Sequence, residues 1–343
     1  MQKMEIMLKV RDISLDVIRI IACAMIIMMH SPHPLANAGN GMFLVLVSYL
    51  CAPGVGLFFM VSGALILGGN VVERKFDAFS FLKRRVVRIG VPLAFWVIVG
   101  RSLEYVGVDN VENGVLWFLY CMSGLYLLTP ILRRWMGQAT MREVEFYLAI
   151  WMVTLFVPVM RLFYPMMRFL GYDVFVGDTS FLYYFHGYAG YYVLGGYMNR
   201  HYGHKDSVLY RWRKWMFVPV LLLSILFPVV LKIMKVNVDF YNLFWYLGIS
   251  VVLMYLALWM ALKRMCDRIN RSPKWIATLS TLTFGIYLVH ILVMRNVLWK
   301  MDWMVRLNGC VQTFVCFALT FTVSLVLCWG LSKVKYVRMV IGM

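Results

Sequence analysis

Arg19 and His30 stand at the two ends of an otherwise apolar run of helix length, within Ser14 to His33 (SLDVIRIIACAMIIMMHSPH). Eleven helical steps of about 100° come to roughly 1100°, about 20° past three turns, so the two side chains share a face about 16 Å apart along the axis. An arginine inside an apolar span needs a partner or a polar cavity. A histidine, with an ordinary pKa near 6.5, can take a proton and return it near neutrality. The pair is therefore a functional-site candidate within a membrane span. The plainer reading has Arg19 snorkelling to the membrane surface and His30 ending its helix in water.

Further titratable groups fall on other apolar runs: His290 in LTFGIYLVHILV, His186 in YYFHGYAGYYVLGGYM, and Glu104 near the end of a third run. In FSFLKRRVVRIGVP, Arg85 and Arg88 are three apart on one helical face with Arg84 beside them. Such a cluster suits phosphate, which guanidinium groups bind in bidentate fashion, although juxtamembrane arginines also serve topology and anionic lipid. GVGLFFMVSGALILGG brings together Gly54, Gly56, Ser62, Gly63 and Ala64, a composition that lets helix backbones approach closely. Trp117 opens the run VLWFLYCMSGLYLLTP as an interfacial aromatic. The segment 164–181 offers Arg168, Asp173 and Asp178 as contacts for a polar acceptor.

The elements that must position these residues are membrane helices. Of the 343 residues 62% are hydrophobic and 15% charged, with a mean hydropathy of +0.75, whereas a soluble domain is nearer half apolar and a quarter charged. At about 20 residues per crossing the chain divides into ten helices, over 13–31, 43–68, 88–107, 115–132, 146–163, 182–199, 216–234, 242–262, 277–295 and 309–332. The expected fold is all-α and polytopic, a single membrane domain over 1–343, with no room for a sizeable soluble domain. The first run lacks a small-residue cleavage pattern and is kept as a mature helix.

The net charge of +18 does not point to nucleic acid, because the lysines and arginines gather in short segments between apolar runs. Both ends and the even gaps carry 25 of them against 7 in the odd gaps, which places both termini in the cytoplasm. His30 and His290 then lie toward the outer face, with His186 and Glu104 at similar depth, and Arg19 toward the cytoplasm. The seven cysteines show neither CxxC nor metal-ligand spacing and read as small core residues, so no metal is expected.

In order along the chain, LDVIRIIACAMIIMMH, GLFFMVSGALI, FLKRRVVRIGVP, WFLYCMSGLYLLTPILR and FGIYLVHILV resemble five motifs of the acyltransferase-3 family of integral membrane acyltransferases. The resemblance spans most of the chain and is nearest to the short form without a fused hydrolase-like domain. It implies a bacterial cytoplasmic-membrane enzyme that moves an acyl group, usually acetyl, from cytoplasmic acetyl-CoA to a hydroxyl of an envelope glycan or lipid-linked sugar. Carried over by position, it makes His30 the catalytic histidine and Arg19 its helix partner. Arg84, Arg85 and Arg88 become candidates for the CoA phosphates, and Ser62, Trp117, Tyr287 and His290 for the substrate cavity, with Glu104 added from its depth. Val17 and Ile18 depart from the family's smaller residues around Arg19. His30 acts either as general base or as a transient acyl carrier. The rival class is a proton-coupled transporter with His30, His186 and His290 in relay; no internal repeat of the kind many transporters carry is evident.

Overall fold

A computed structural model describes residues 12–36, 41–68, 76–105, 115–156, 182–201, 246–266 and 273–343, besides isolated positions. Among them every regular element is helical. Twelve α-helices run in chain order: α1 (Ile13–His30), α2 (Gly41–Cys51), α3 (Pro53–Leu67), α4 (Ala78–Arg85), α5 (Val91–Tyr105), α6 (Trp117–Gln138), α7 (Met141–Thr154), α8 (Ala189–His201), α9 (Ile249–Cys266), α10 (Lys274–Asn296), α11 (Asp302–Arg306) and α12 (Gly309–Ser332). Six stretches among the described residues are long and apolar enough to cross a membrane: Ile13–His30, Leu46–Leu67, Ala78–Tyr105, Ile249–Cys266, Lys274–Lys300 and Gly309–Ser332. The protein is thus an all-α polytopic membrane protein. The expected helix over 216–234 and the acceptor loop with Arg168, Asp173 and Asp178 lie outside the described residues.

Several boundaries differ from the sequence expectation, the helix expected over 88–107 starting at Ala78 and the one over 115–132 running on to Gln138, and two of the differences have a plain local cause. The run 43–68 crosses as one span, Leu46–Leu67, with a one-residue interruption at Ala52, which keeps helical dihedrals, before Pro53, which has no N–H to give, opens α3. The sixth run begins later than 182. A short 3-10 turn at Tyr183–Phe185 and Gly187 at φ +108 precede α8, because the tyrosine- and glycine-rich stretch bends before it becomes regular.

Helix α1 is central and contacts α2, α3, α9, α10 and α12. Its N-terminus is capped by Asp12, which accepts from the Ser14 N–H at 2.9 Å and from Lys263 Nζ of α9 at 2.6 Å. Burial alone would raise the Asp12 carboxyl, but Lys263 and Ser14 together hold it below its ordinary value. Helices α1 and α10 run side by side in the same direction. Three contacts mark their common register: Ser280 Oγ donates to Asp16 Oδ1 at 2.7 Å, the Cys23 thiol to the Thr283 carbonyl at 3.6 Å, and the His30 and His290 rings meet at 5.4 Å.

The small residues of α3 do bring backbones together. A Cβ on Gly63 would lie 1.8 Å from the Tyr192 carbonyl oxygen of α8, and one on Gly195 of α8 would lie 1.9 Å from the Met60 carbonyl oxygen of α3. At this crossing the two glycines are a geometric requirement.

Candidate active site

The site has two ends, both built on α1 and α10. At the Arg19 end is a cavity of about 150 Å³. Its polar wall is Arg19 of α1, Ser62 of α3, Arg85 and Arg88, and Ser280, Thr281 and Thr283 of α10. Arg85 ends α4 and Arg88 lies in a π-helical turn, Val86–Gly90, that joins α4 to α5. Such turns hold an extra residue and re-aim the side chains that follow. The Arg85 guanidinium rests over the rings of Phe81 at 5.1 Å and Tyr126 at 4.9 Å, contacts that orient a cation without neutralising it. Arg84 is exposed and stands outside the cavity wall.

After α12 the chain folds back beneath the cavity. The Trp96 indole N–H of α5 donates to the Val340 carbonyl at 2.9 Å. Gly342, at φ +72, then joins the cavity wall, where a Cβ would lie 2.4 Å from the Phe284 ring. No motif in the sequence marks this use of its last residues.

At the other end His30 and His290 face each other, ring centroids 5.4 Å apart. His30 Nδ1 lies 2.8 Å from the Ile26 carbonyl and His290 Nδ1 lies 2.6 Å from the Tyr287 carbonyl. A carbonyl only accepts, so in the neutral rings both Nδ1 atoms carry the proton and both Nε2 atoms offer lone pairs. His290 is fully buried and its Nε2 makes no hydrogen bond among the described residues. A buried polar atom left unmatched costs about 1–3 kcal/mol, and this one belongs to the ring packed against the imidazole expected to do chemistry.

The histidine end is held by neighbours that sequence reasoning passed over. Gln312 of α12, fully buried, accepts from the His33 N–H at 3.0 Å and donates to the Ser31 carbonyl at 3.1 Å, clamping the turn just after His30. Arg295 of α10 lies against Trp299, whose ring meets His33 edge-on. The signal for Gln312 was a lone amide side chain inside the apolar run GCVQTFVC.

Between the two ends stands an aromatic layer. Phe58 and Phe118 line the cavity and also meet Tyr287, at 6.1 and 5.4 Å, and Tyr287 meets His290 at 5.7 Å. The Tyr287 hydroxyl donates to the Val115 carbonyl at 2.6 Å. Trp117 stacks on Tyr246 at 5.6 Å and 17°, and the Tyr246 hydroxyl reaches Met29 Sδ at 3.8 Å, next to His30. Of the other expected site residues, Glu104 is exposed at the end of α5 and pairs with Arg101 at 3.8 Å. His186 is exposed in the segment before α8, outside the paired imidazoles.

An all-α membrane bundle with an arginine-lined cavity at one end of a helix pair and two imidazoles at the other is an integral membrane protein whose ionisable side chains gather at the two ends of that pair. Residues 12–332 match the family model described as an acyltransferase domain, that of the acyltransferase-3 family, and the chain belongs to that family. No curated protein and no solved structure matches the chain.

Proposed function

We propose that this membrane acyltransferase takes its acyl group, usually acetyl, from cytoplasmic acyl-CoA and delivers it to a hydroxyl of a carbohydrate or glycolipid at the outer side of a bacterial cytoplasmic membrane. The observation that carries the reading is the division of labour along α1 and α10. Cationic side chains line a cavity at the Arg19 end, and a base with a free lone pair stands about 16 Å further along the same helix. The cavity is smaller than the ~300–1,000 Å³ of pockets that swallow a whole small molecule. The nucleotide of CoA therefore stays at the mouth, its phosphates on Arg85 and Arg88, while the pantetheine arm passes Phe58, Phe118 and Tyr287 toward His30.

There the acceptor oxygen attacks the thioester carbonyl carbon while His30 Nε2 takes the hydroxyl proton. The C–O bond forms, the intermediate collapses with loss of the C–S bond, and His30 returns the proton to the thiolate. Arg19 and Ser62 guide the arm in the cavity. The Trp117–Tyr246 stack beside Met29 gives a flat apolar face of the sort that packs on a sugar ring.

The test is acetyl-CoA binding and slow CoA release by the purified protein in detergent. Wild type binds and releases CoA, His30→Ala binds without turnover, and Arg85→Ala/Arg88→Ala loses binding by tenfold or more. Absence of affinity for any acyl-CoA in the wild type ends this reading.

A further inference from the structure

Arg295 lies five residues past His290, near the end of α10. In the sequence it stands only as one of three basic residues, with Lys300 and Arg306, between the last two apolar runs. In the fold its Nε is buried and makes no hydrogen bond among the described residues. The guanidinium sits 5.8 Å from the centroid of the Trp299 ring, and that ring meets His33, three residues after His30, at 5.0 Å. A cation with a buried, unsatisfied donor is costly to maintain unless something occupies that donor during function.

The chemistry of the two imidazoles says what is missing. With Nδ1 of each ring donating to a backbone carbonyl, each presents a lone pair at Nε2. At the moment of attack neither ring can donate to the carbonyl oxygen that is becoming an anion. Acyl transfer needs donors aimed at that oxygen, and in a low-dielectric site such donors lower the barrier more than most other catalytic devices do. Resting on the acyl-CoA reading above, we infer that Arg295 is that donor. Its guanidinium binds the oxyanion that forms as the acceptor oxygen bonds to the thioester carbon and the C=O π electrons move onto oxygen. It releases that oxygen when the carbonyl re-forms and the C–S bond breaks. His30 handles the proton, and Arg295 handles the charge.

The test uses water as the acceptor, so the natural acceptor need not be known. CoA release from acetyl-CoA and CoA affinity are measured for the whole protein as wild type, Arg295→Gln, Arg295→Lys and Arg295→Ala, with His30→Ala in parallel. The expected result for Arg295→Gln is a fall in turnover of about 10²–10³-fold with CoA affinity within about twofold of wild type. Arg295→Lys keeps part of the rate, and millimolar guanidinium chloride restores part of it to Arg295→Ala. Wild-type hydrolysis by Arg295→Gln overturns the inference and turns Arg295 into a group that reads the acceptor or packs the helix end. Parallel losses of turnover and CoA affinity, without rescue, overturn it as well and leave a structural role. If instead His30→Ala hydrolyses at the wild-type rate while Arg295→Gln does not, the general-base reading falls and the oxyanion role stands.

Discussion

At the scale of the residue, the proposed chemistry depends on holding one nitrogen still. His30 is the last residue of α1, and the chain turns immediately after it. Its ring is tied to its own helix through Nδ1, so the direction of Nε2 follows the direction of the final helical turn. Gln312 governs that turn by gripping Ser31 and His33 from α12. Replacing Gln312 with leucine keeps the volume and leaves two buried backbone groups unmatched, at about 1–3 kcal/mol each. The expected outcome is a tenfold or larger fall in CoA release with CoA affinity intact, because the binding end lies at the far end of α1 and displacement of a base by about 1 Å can cost ~10²-fold. Gln312→Glu, which still accepts from the His33 N–H, recovers part of the rate. Equal activity for leucine and glutamine would show that the clamp does not position His30. On the proposed function Gln312 acts through His30, as a positioning residue.

At the scale of the element, pairs of helices matter more than single helices. Helix α1 was legible as the centre of the site because so few polar side chains interrupt its apolar run. Its companion was marked by His290 in an apolar run and by the IYLVH resemblance, but not as a companion, since the register that joins Asp16 to Ser280 and His30 to His290 is a property of two helices in contact. In the sequence Arg295 reads as a topological charge for the same reason: nothing local distinguishes it from Lys300 or Arg306. Counting apolar length alone does not reveal the interruption at Ala52–Pro53 within that span. The close packing of α3 was expected from its small residues, and the structure adds that α8 is the partner and that Gly63 and Gly195 are where the backbones touch. Helix α3 carries Phe58, Ser62 and Ile66 into the cavity. Gly63→Ala therefore forces the crossing apart against backbone that cannot give, at or above the ~1–3 kcal/mol usual for overpacking, and lowers CoA affinity together with the melting temperature. Gly124 of α6 is the matched control, since a Cβ there meets nothing within 4 Å. Gly124→Ala is expected to be neutral or to stabilise by about 0.5–1 kcal/mol. A melting temperature unchanged by Gly63→Ala would mean that α3 and α8 are not held together at this crossing.

At the scale of the whole molecule, the direction of the reaction rests on which way the bundle faces. On the proposed function, the excess of basic residues in the even gaps is the reason to expect the cavity end in the cytoplasm, the compartment in which the proposed acyl-CoA donor is supplied, and the histidine end toward the outer surface. The two ends can be reported separately. Lys83 is exposed on α4 near the cavity, and Arg306 is exposed at the end of α11 near the histidines. Four of the seven native cysteines, Cys23, Cys266, Cys316 and Cys328, are buried, so replacing Cys51, Cys121 and Cys310 with alanine leaves a quiet background. On that background an impermeant maleimide applied to intact cells is expected to label Arg306→Cys at once and Lys83→Cys only after permeabilisation. The reverse pattern would open the arginine cavity to a space without acyl-CoA, and the donor would then have to reach His30 from the opposite end. Labelling of both from one side would remove the bundle's through-membrane path altogether. With the expected pattern, the ~16 Å between Arg19 and His30 becomes the distance that an acyl group is carried across the membrane before it is given up.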